Sequence, residues 1–114
     1  MAEPAEFEDR KLVTLARAAR SRIGAAEGAA LRDADGRTYA AATVDLPSLQ
    51  VSAIAVAVSM AVASGSKGAE AVVVLTEAGA VAEPDLAALR DFAGEGVAVL
   101  RGDPRGAIAE TVST

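Results

Sequence analysis

Glu27-Gly-Ala-Ala-Leu-Arg32, Asp33-Ala-Asp-Gly36 and Arg37-Thr-Tyr-Ala-Ala-Ala-Thr-Val44 are the residues on which the fold turns. Two extended, largely apolar segments flank an Asp-Gly pair. That is a strong hairpin signal, because the turns that match strand twist need residues tolerant of positive φ. Asp33-Ala-Asp-Gly36 also looks like the opening of a calcium loop. Such a loop needs a bidentate Glu at position 12, and Val44 stands there. A hairpin turn is the reading that fits.

Upstream, residues 5–22 read as an amphipathic helix, with Leu12, Leu15, Ala16, Ala19 and Ile23 at helical spacing on one face. Glu3, Glu6, Glu8 and Asp9 at its start and Arg17, Arg20 and Arg22 near its end suit the helix dipole. Gly24 supplies a stop. Downstream, Asp45, Leu46, Pro47 and Ser48 form a connection, and an Ala/Val helix is expected from about Leu49 to Ser64, ended by Gly65. Its valines leave the type open by propensity, but its length and dispersed serines favour a helix. Leu46 to Ser66 carries no charge. Its apolar heart, Val51–Ala63, is short of the ~20 residues that cross a bilayer, so a buried core helix is expected and no membrane partner.

Ala71-Val-Val-Val-Leu75 is the unbroken apolar run of a buried strand. Glu77 to Ala82 is a loop, and Pro84 opens a helix running to about Ala93, with Gly94 past its end. Val97-Ala-Val-Leu100 is a second buried strand; Gly102, Pro104 and Gly106 mark a turn, and Ala107 to Val112 adds a weak edge strand. Strand–helix–strand at the end makes the last two buried strands parallel, with a right-handed crossover. The chain of 114 residues suits one domain, residues 1–114.

Composition removes whole classes of chemistry. Cysteine and histidine are both zero. That excludes disulfides, thiolate or imidazole zinc sites, cysteine nucleophiles, Ser–His–Asp triads and histidine pH switches. Lys and Arg total 11 against 16 Asp and Glu, a net charge of −5, which argues against nucleic acid and against a polybasic membrane anchor. Alanine accounts for 29 residues and valine for 13, against two Phe, one Tyr and no Trp. Such a core relies on close backbone approach rather than bulky plugs, and the chain lacks aromatic platforms for stacking bases. The acidic start, Met-Ala-Glu-Pro-Ala-Glu-Phe-Glu-Asp, is unlike a signal peptide, so a cytoplasmic location is expected.

The hairpin carries a second message. Gly28-Ala-Ala-Leu31, Asp35-Gly36, Tyr39 and Val44 resemble, without a gap, the V-G-A-A-L … D-G … Y … N-V-E hairpin of the small tetrameric-type cytidine deaminases. Ser52-Ala-Ile-Ala and the residues to Gly65 lie where that family has C-A-E-R and an A-V-S-x-G ending; Ala61-Val-Ala-Ser-Gly65 matches the ending, and the connection before the helix is shorter than usual. Ala71–Leu75 matches the next strand, and Pro84 falls where a P-C-x-x-C motif begins. The resemblance covers about residues 10–101. It implies an α/β fold, a three-layer α-β-α arrangement with a mixed sheet of four to five strands.

In that family, cysteines (or one His and two Cys) hold a zinc ion that activates water for attack on the pyrimidine C4, and a glutamate shuttles protons. Carried over, the first ligand falls on Ser52 and the glutamate on Ile54, with the second and third ligands at about Asp85 and Ala88. The nucleoside-holding Asn and Glu become Thr43 and Asp45, and the Phe that packs on the base falls on Ala25. No thiolate remains, and an isoleucine transfers no proton. The resemblance therefore implies a scaffold without the chemistry: a non-catalytic protein with no metal or other cofactor, a homo-oligomer (dimer or tetramer) built near the central helices, and an unidentified protein partner. The alternative is a nucleoside-like binding module without turnover; pocket volume discriminates, since binding is lost too if Ile54 and Leu49 fill the pocket.

Other candidates are weaker. Ser52 as a nucleophile would need Lys11 or Lys67 beside it; a helix cap is the ordinary role of such a serine. Arg10, Lys11, Arg17, Arg20 and Arg22 read as a solvated helix face rather than a binding patch. Glu77, Glu83 and Asp85 read as caps and dipole partners rather than a Mg²⁺ or Ca²⁺ site. An unrelated enzyme using Asp45, Asp85 or Lys67 lacks a paired acid and base.

Overall fold

The Asp-Gly hairpin forms where the residues ask for it. In the computed structural model, which describes residues 7–114, the elements run α1 (Phe7–Ile23), β1 (Gly28–Asp33), β2 (Thr38–Ala42), β3 (Val44–Leu46), β4 (Leu49–Val51), α2 (Ala53–Ala63), β5 (Ala69–Leu75), α3 (Glu83–Ala93), β6 (Ala98–Gly102) and β7 (Ile108–Ser113). β1 and β2 pair antiparallel, Gly28 opposite Ala42 and Arg32 opposite Thr38. Asp33 Oδ1 accepts the N–H groups of Asp35 and Arg37, both at 2.9 Å, and Gly36 takes a φ of 85°, a conformation that glycine adopts without strain.

The five-stranded sheet has the order β2-β1-β5-β6-β7. β5 runs antiparallel to β1 and parallel to β6, with Ala71 opposite Ala98, and α3 is the crossover between them. β7 closes the far edge antiparallel to β6. It is a full six-residue strand. Side chains alternate across the sheet as strand geometry requires. Ala30, Val73, Leu75 and Leu100 meet Leu12 and Ala16 of α1 on one face. Ala29, Leu31, Val72, Val74 and Val99 meet Ile54, Ala57 and Ala61 of α2 and Leu89 of α3 on the other. The result is helix, mixed sheet, helix pair. Small residues set the layer spacing: a Cβ on Gly28 would lie 2.1 Å from the carbonyl oxygen of Ala16, so α1 rests on the β1 backbone itself.

Three local expectations need correction. The Ala/Val helix begins at Ala53, not Leu49. Leu49–Val51 is β4, paired with β3 in a separate two-stranded ribbon with Leu46 opposite Leu49. Pro47-Ser48 forms its two-residue turn, and Val44, Leu46, Leu49 and Val51 supply short alternating arms. Leu46 and Leu49 are 54% and 52% exposed, so Leu49 fills no pocket. Ile23 is 64% exposed rather than on the core face. β1 starts beneath Ala16 and Arg20, and Ile23, about one turn further on, extends past the sheet. Finally, α2 is buried on one face only: Ala53, Ile54, Ala57 and Ala61 are covered, whereas Met60 and Val62 are 38% and 56% exposed. No helix of the described residues is long and apolar enough to cross a membrane.

Candidate functional site

Two helix starts meet on one face of the sheet. Ser52 has an extended backbone and caps α2, its Oγ accepting the N–H of Ala55 at 3.1 Å. The same hydroxyl donates its proton to Asp85 Oδ1 at 2.6 Å. Asp85 belongs to the first turn of α3, which opens with Pro84 behind it and has no side-chain cap of its own. Ser52 and Asp85, far apart in the chain, are thus brought together. Ala88 lies about one turn beyond Asp85 on α3 and is half-buried. Ile54 is 1% exposed and packs in the core between α2 and the sheet.

The donor set here is one hydroxyl, one carboxylate and two hydrocarbon side chains. Zinc takes four ligands from thiolate, imidazole and carboxylate. One carboxylate already engaged by a hydroxyl does not fit that requirement. Among the described residues no group of three or more His, Cys, Asp or Glu side chains gathers in a way that could hold a metal ion. Two of the three acidic candidates are drawn onto separate partners, Asp85 on Ser52 and Glu83 on Arg90 in an ion pair along α3. Neither Lys11 nor Lys67 bonds to Ser52, so the Ser–Lys pair is not formed, and the Ser52 hydroxyl is held instead by the Asp85 carboxylate.

The other three carried-over positions gather elsewhere. Ala25, Thr43 and Asp45 line one cavity of about 400 Å³ together with Ile23 and Leu46. Thr43 is committed to the base of the hairpin: its Oγ1 accepts the N–H of Glu27 at 2.9 Å and donates to the Glu27 carbonyl at 3.3 Å. Asp45 is exposed. Neither Ser52 and Asp85 nor Ile54 and Ala88 line this cavity. The basic residues of α1 are drawn apart as well, Arg17 donating to the carbonyl of Arg105 and Arg20 to that of Ala26.

The model of the family described as cytidine deaminase-like matches residues 5–106. This chain belongs to the cytidine deaminase-like family. Solved structures agree on the fold. The chain is similar to cytidine deaminase from Burkholderia pseudomallei, with a TM-score of 0.80, 22% identity and 91% of each chain covered. It is similar to cytidine deaminase from Mycobacterium leprae, with a TM-score of 0.74, 19% identity, and 95% of this chain and 94% of that one covered. Against cytidine deaminase from Mycobacterium tuberculosis the TM-score is 0.71 at 19% identity, covering 82% and 85%. No curated protein matches the chain.

This cytidine deaminase-like chain also has a buried polar link that no motif announced. Asp33 Oδ2 accepts the Ser66 hydroxyl at 2.6 Å, and Arg37 Nε lies 3.3 Å from the same oxygen. Ser66 spends its proton on Asp33, so the Tyr39 hydroxyl, 2.9 Å away, donates to Ser66. The Ser66 hydrogen bond is the largest influence holding the Asp33 carboxyl below its ordinary range; burial opposes it, and the N–H groups of Arg37 and Asp35 and the Arg37 charge reinforce it. The link ties the hairpin turn to the segment just after α2. The Asp-x-Asp-Gly pattern foretold the turn, but Ser66 carried no signal at all.

Proposed function

We propose that this cytidine deaminase-like chain is a non-catalytic, cytoplasmic member of its family that works through protein–protein contacts and assembles with copies of itself. The Ser52–Asp85 hydrogen bond carries the reading. The resemblance puts the first two metal ligands at these positions, the third at Ala88 and the proton-shuttling glutamate at Ile54. A metal-bound hydroxide and a free carboxylate supply several kcal/mol of transition-state stabilisation; a hydroxyl locked on a carboxylate and a buried isoleucine supply neither. Elemental analysis after dialysis is expected to find no stoichiometric zinc, and cytidine and deoxycytidine are expected to remain at background. One zinc per chain, or a cytidine absorbance decrease proportional to protein and surviving repurification, overturns the reading. Self-assembly is supported by the outer side of α2, which carries no charged residue and leaves Met60 and Val62 uncovered.

A second reading, a nucleoside-like binding module without turnover, is favoured by one observation. Ala25, Thr43 and Asp45, the carried-over substrate positions, line a single cavity. Cytidine titration followed at the backbone amides of Ala25, Thr43 and Asp45 tests it, and unchanged amides at saturating nucleoside would dismiss it.

A further inference from the structure

A larger cavity, of about 570 Å³, opens elsewhere, and none of Ser52, Ile54, Ala88, Ala25, Thr43 or Asp45 lines it. It lies at the carboxyl ends of β5 and β6, between the segment that follows β5 and the turn that follows β6, with Thr76, Glu77, Arg101 and Asp103 in its wall. This volume falls in the ordinary range for small-molecule pockets. Ala78, Gly79, Ala107 and Ala109 leave the space free.

The polar groups in the wall are held in place and partly unspent. Arg101 is 14% exposed; its Nε bonds Glu110 Oε2 at 2.7 Å and its Nη1 bonds the Ala78 carbonyl at 3.1 Å. Nη2 has no partner among the described residues, and Arg101 is part of the cavity wall. Thr76 is buried, and its Oγ1 accepts the Ala78 N–H at 3.1 Å, which leaves the hydroxyl proton to donate. Asp103 Oδ1 takes the N–H groups of Arg105 and Ala107. Asp103 Oδ2 and the Glu77 carboxylate have no partner among the described residues. Two donors, one of them cationic, thus face the same space as two anionic acceptors.

We propose that this cavity binds a small zwitterion of the free amino-acid class, its carboxylate on Arg101 and Thr76 and its ammonium on Glu77 and Asp103. Glu110 already neutralises Arg101, so a bare anion such as phosphate would meet two uncompensated carboxylates, and a bare cation would leave the guanidinium and hydroxyl donors unused. A ligand carrying both charges satisfies both halves through charge-assisted hydrogen bonds.

Titration of the full chain with glycine, L-serine and L-glutamine, followed at the backbone amides of Ala78, Gly79, Asp103 and Ala107, tests the assignment. Saturable shifts are expected for at least one amino acid, roughly tenfold tighter than for acetate, methylammonium or inorganic phosphate, since each half forfeits one set of charged hydrogen bonds. Glu77→Gln removes an exposed, unpartnered charge, and Asp103→Asn keeps the acceptor its turn needs. Each is expected to weaken binding roughly tenfold with the remaining spectrum unchanged. Equal binding of acetate or phosphate would make this a simple anion site, and equal binding of methylammonium a simple cation site; either overturns the proposal. So does the absence of saturable shifts at roughly 50 mM amino acid, beyond which a ligand this small has no specific affinity.

Discussion

Asp33 receives the N–H groups of Asp35 and Arg37 on one carboxylate oxygen and the Ser66 hydroxyl on the other, with Arg37 alongside. Because its pKa is lowered by folding, the unfolded chain binds a proton at this residue more readily than the native one. Its contribution is therefore present above the unfolded value of about 3.9 and is lost as pH falls through the native value. Asp33→Asn keeps an acceptor for the turn but loses the charge. Urea midpoints of the two proteins are expected to differ clearly at pH 7 and to converge toward pH 3; a constant gap would mean that the charge is idle. Gly28 is a second residue with a single tolerable identity. A methyl there meets the Ala16 carbonyl at 2.1 Å and Arg20 Cβ at 2.8 Å, so Gly28→Ala must lift α1 from β1, at an overpacking cost of about 1–3 kcal/mol. Gly68, with nothing within 4 Å of an added Cβ, is the control: Gly68→Ala should shift stability by less than about 0.5 kcal/mol.

The starts of α2 and α3 are joined by one side-chain bond, Ser52 to Asp85. Ser52→Ala removes both that bond and the cap on Ala55, and should cost about 1 kcal/mol. A double-mutant cycle with Asp85→Ala would separate the two effects, and vanishing coupling would mean the bond contributes only through the cap. Substituting all three positions, Ser52→Cys with Asp85→Cys and Ala88→Cys, is expected to produce thiolate-to-cobalt charge-transfer bands with Co²⁺ and no deamination, because Ile54 remains. A folded triple variant without those bands would show that the helix starts do not converge. The sequence exposed the elements with strong punctuation: the Asp-Gly turn, the Ala71–Leu75 run, Pro84 and Gly94. It hid β3 and β4 because three-residue arms around Pro47-Ser48 are too short for any hydrophobic period to register. The Ser52–Asp85 contact was equally hidden from local rules, which relate only near neighbours. The family resemblance alone put those two positions side by side.

At the scale of the whole molecule, the uncovered side of α2 is where the proposed self-assembly is put to the test. Ala57 and Ala61 face the subunit's own core, so enlarging either should lower thermal stability and leave the assembly intact. Val62 is more than half exposed. A glutamate there should shift a lone chain's stability by less than about 0.5 kcal/mol yet oppose burial against a second copy. Val62→Glu is expected to give a folded protein of smaller mass by light scattering; a wild-type mass of one chain at high micromolar concentration would defeat self-assembly. The sheet order has a consequence of its own, in time rather than in energy. β1 finds β2 across a tight turn, but its other neighbour, β5, arrives only after the ribbon and the whole of α2 have been threaded between them. Closing that long loop precedes most of its reward, which slows folding. Val73→Ala in β5 should retard refolding in stopped-flow experiments, while Val112→Ala at the β7 edge should chiefly hasten unfolding. Until β5 docks, one side of β1 stands open as an unpaired ribbon of amides and carbonyls, so a newly made chain is most vulnerable to its own kind along this strand, which the finished protein hides completely.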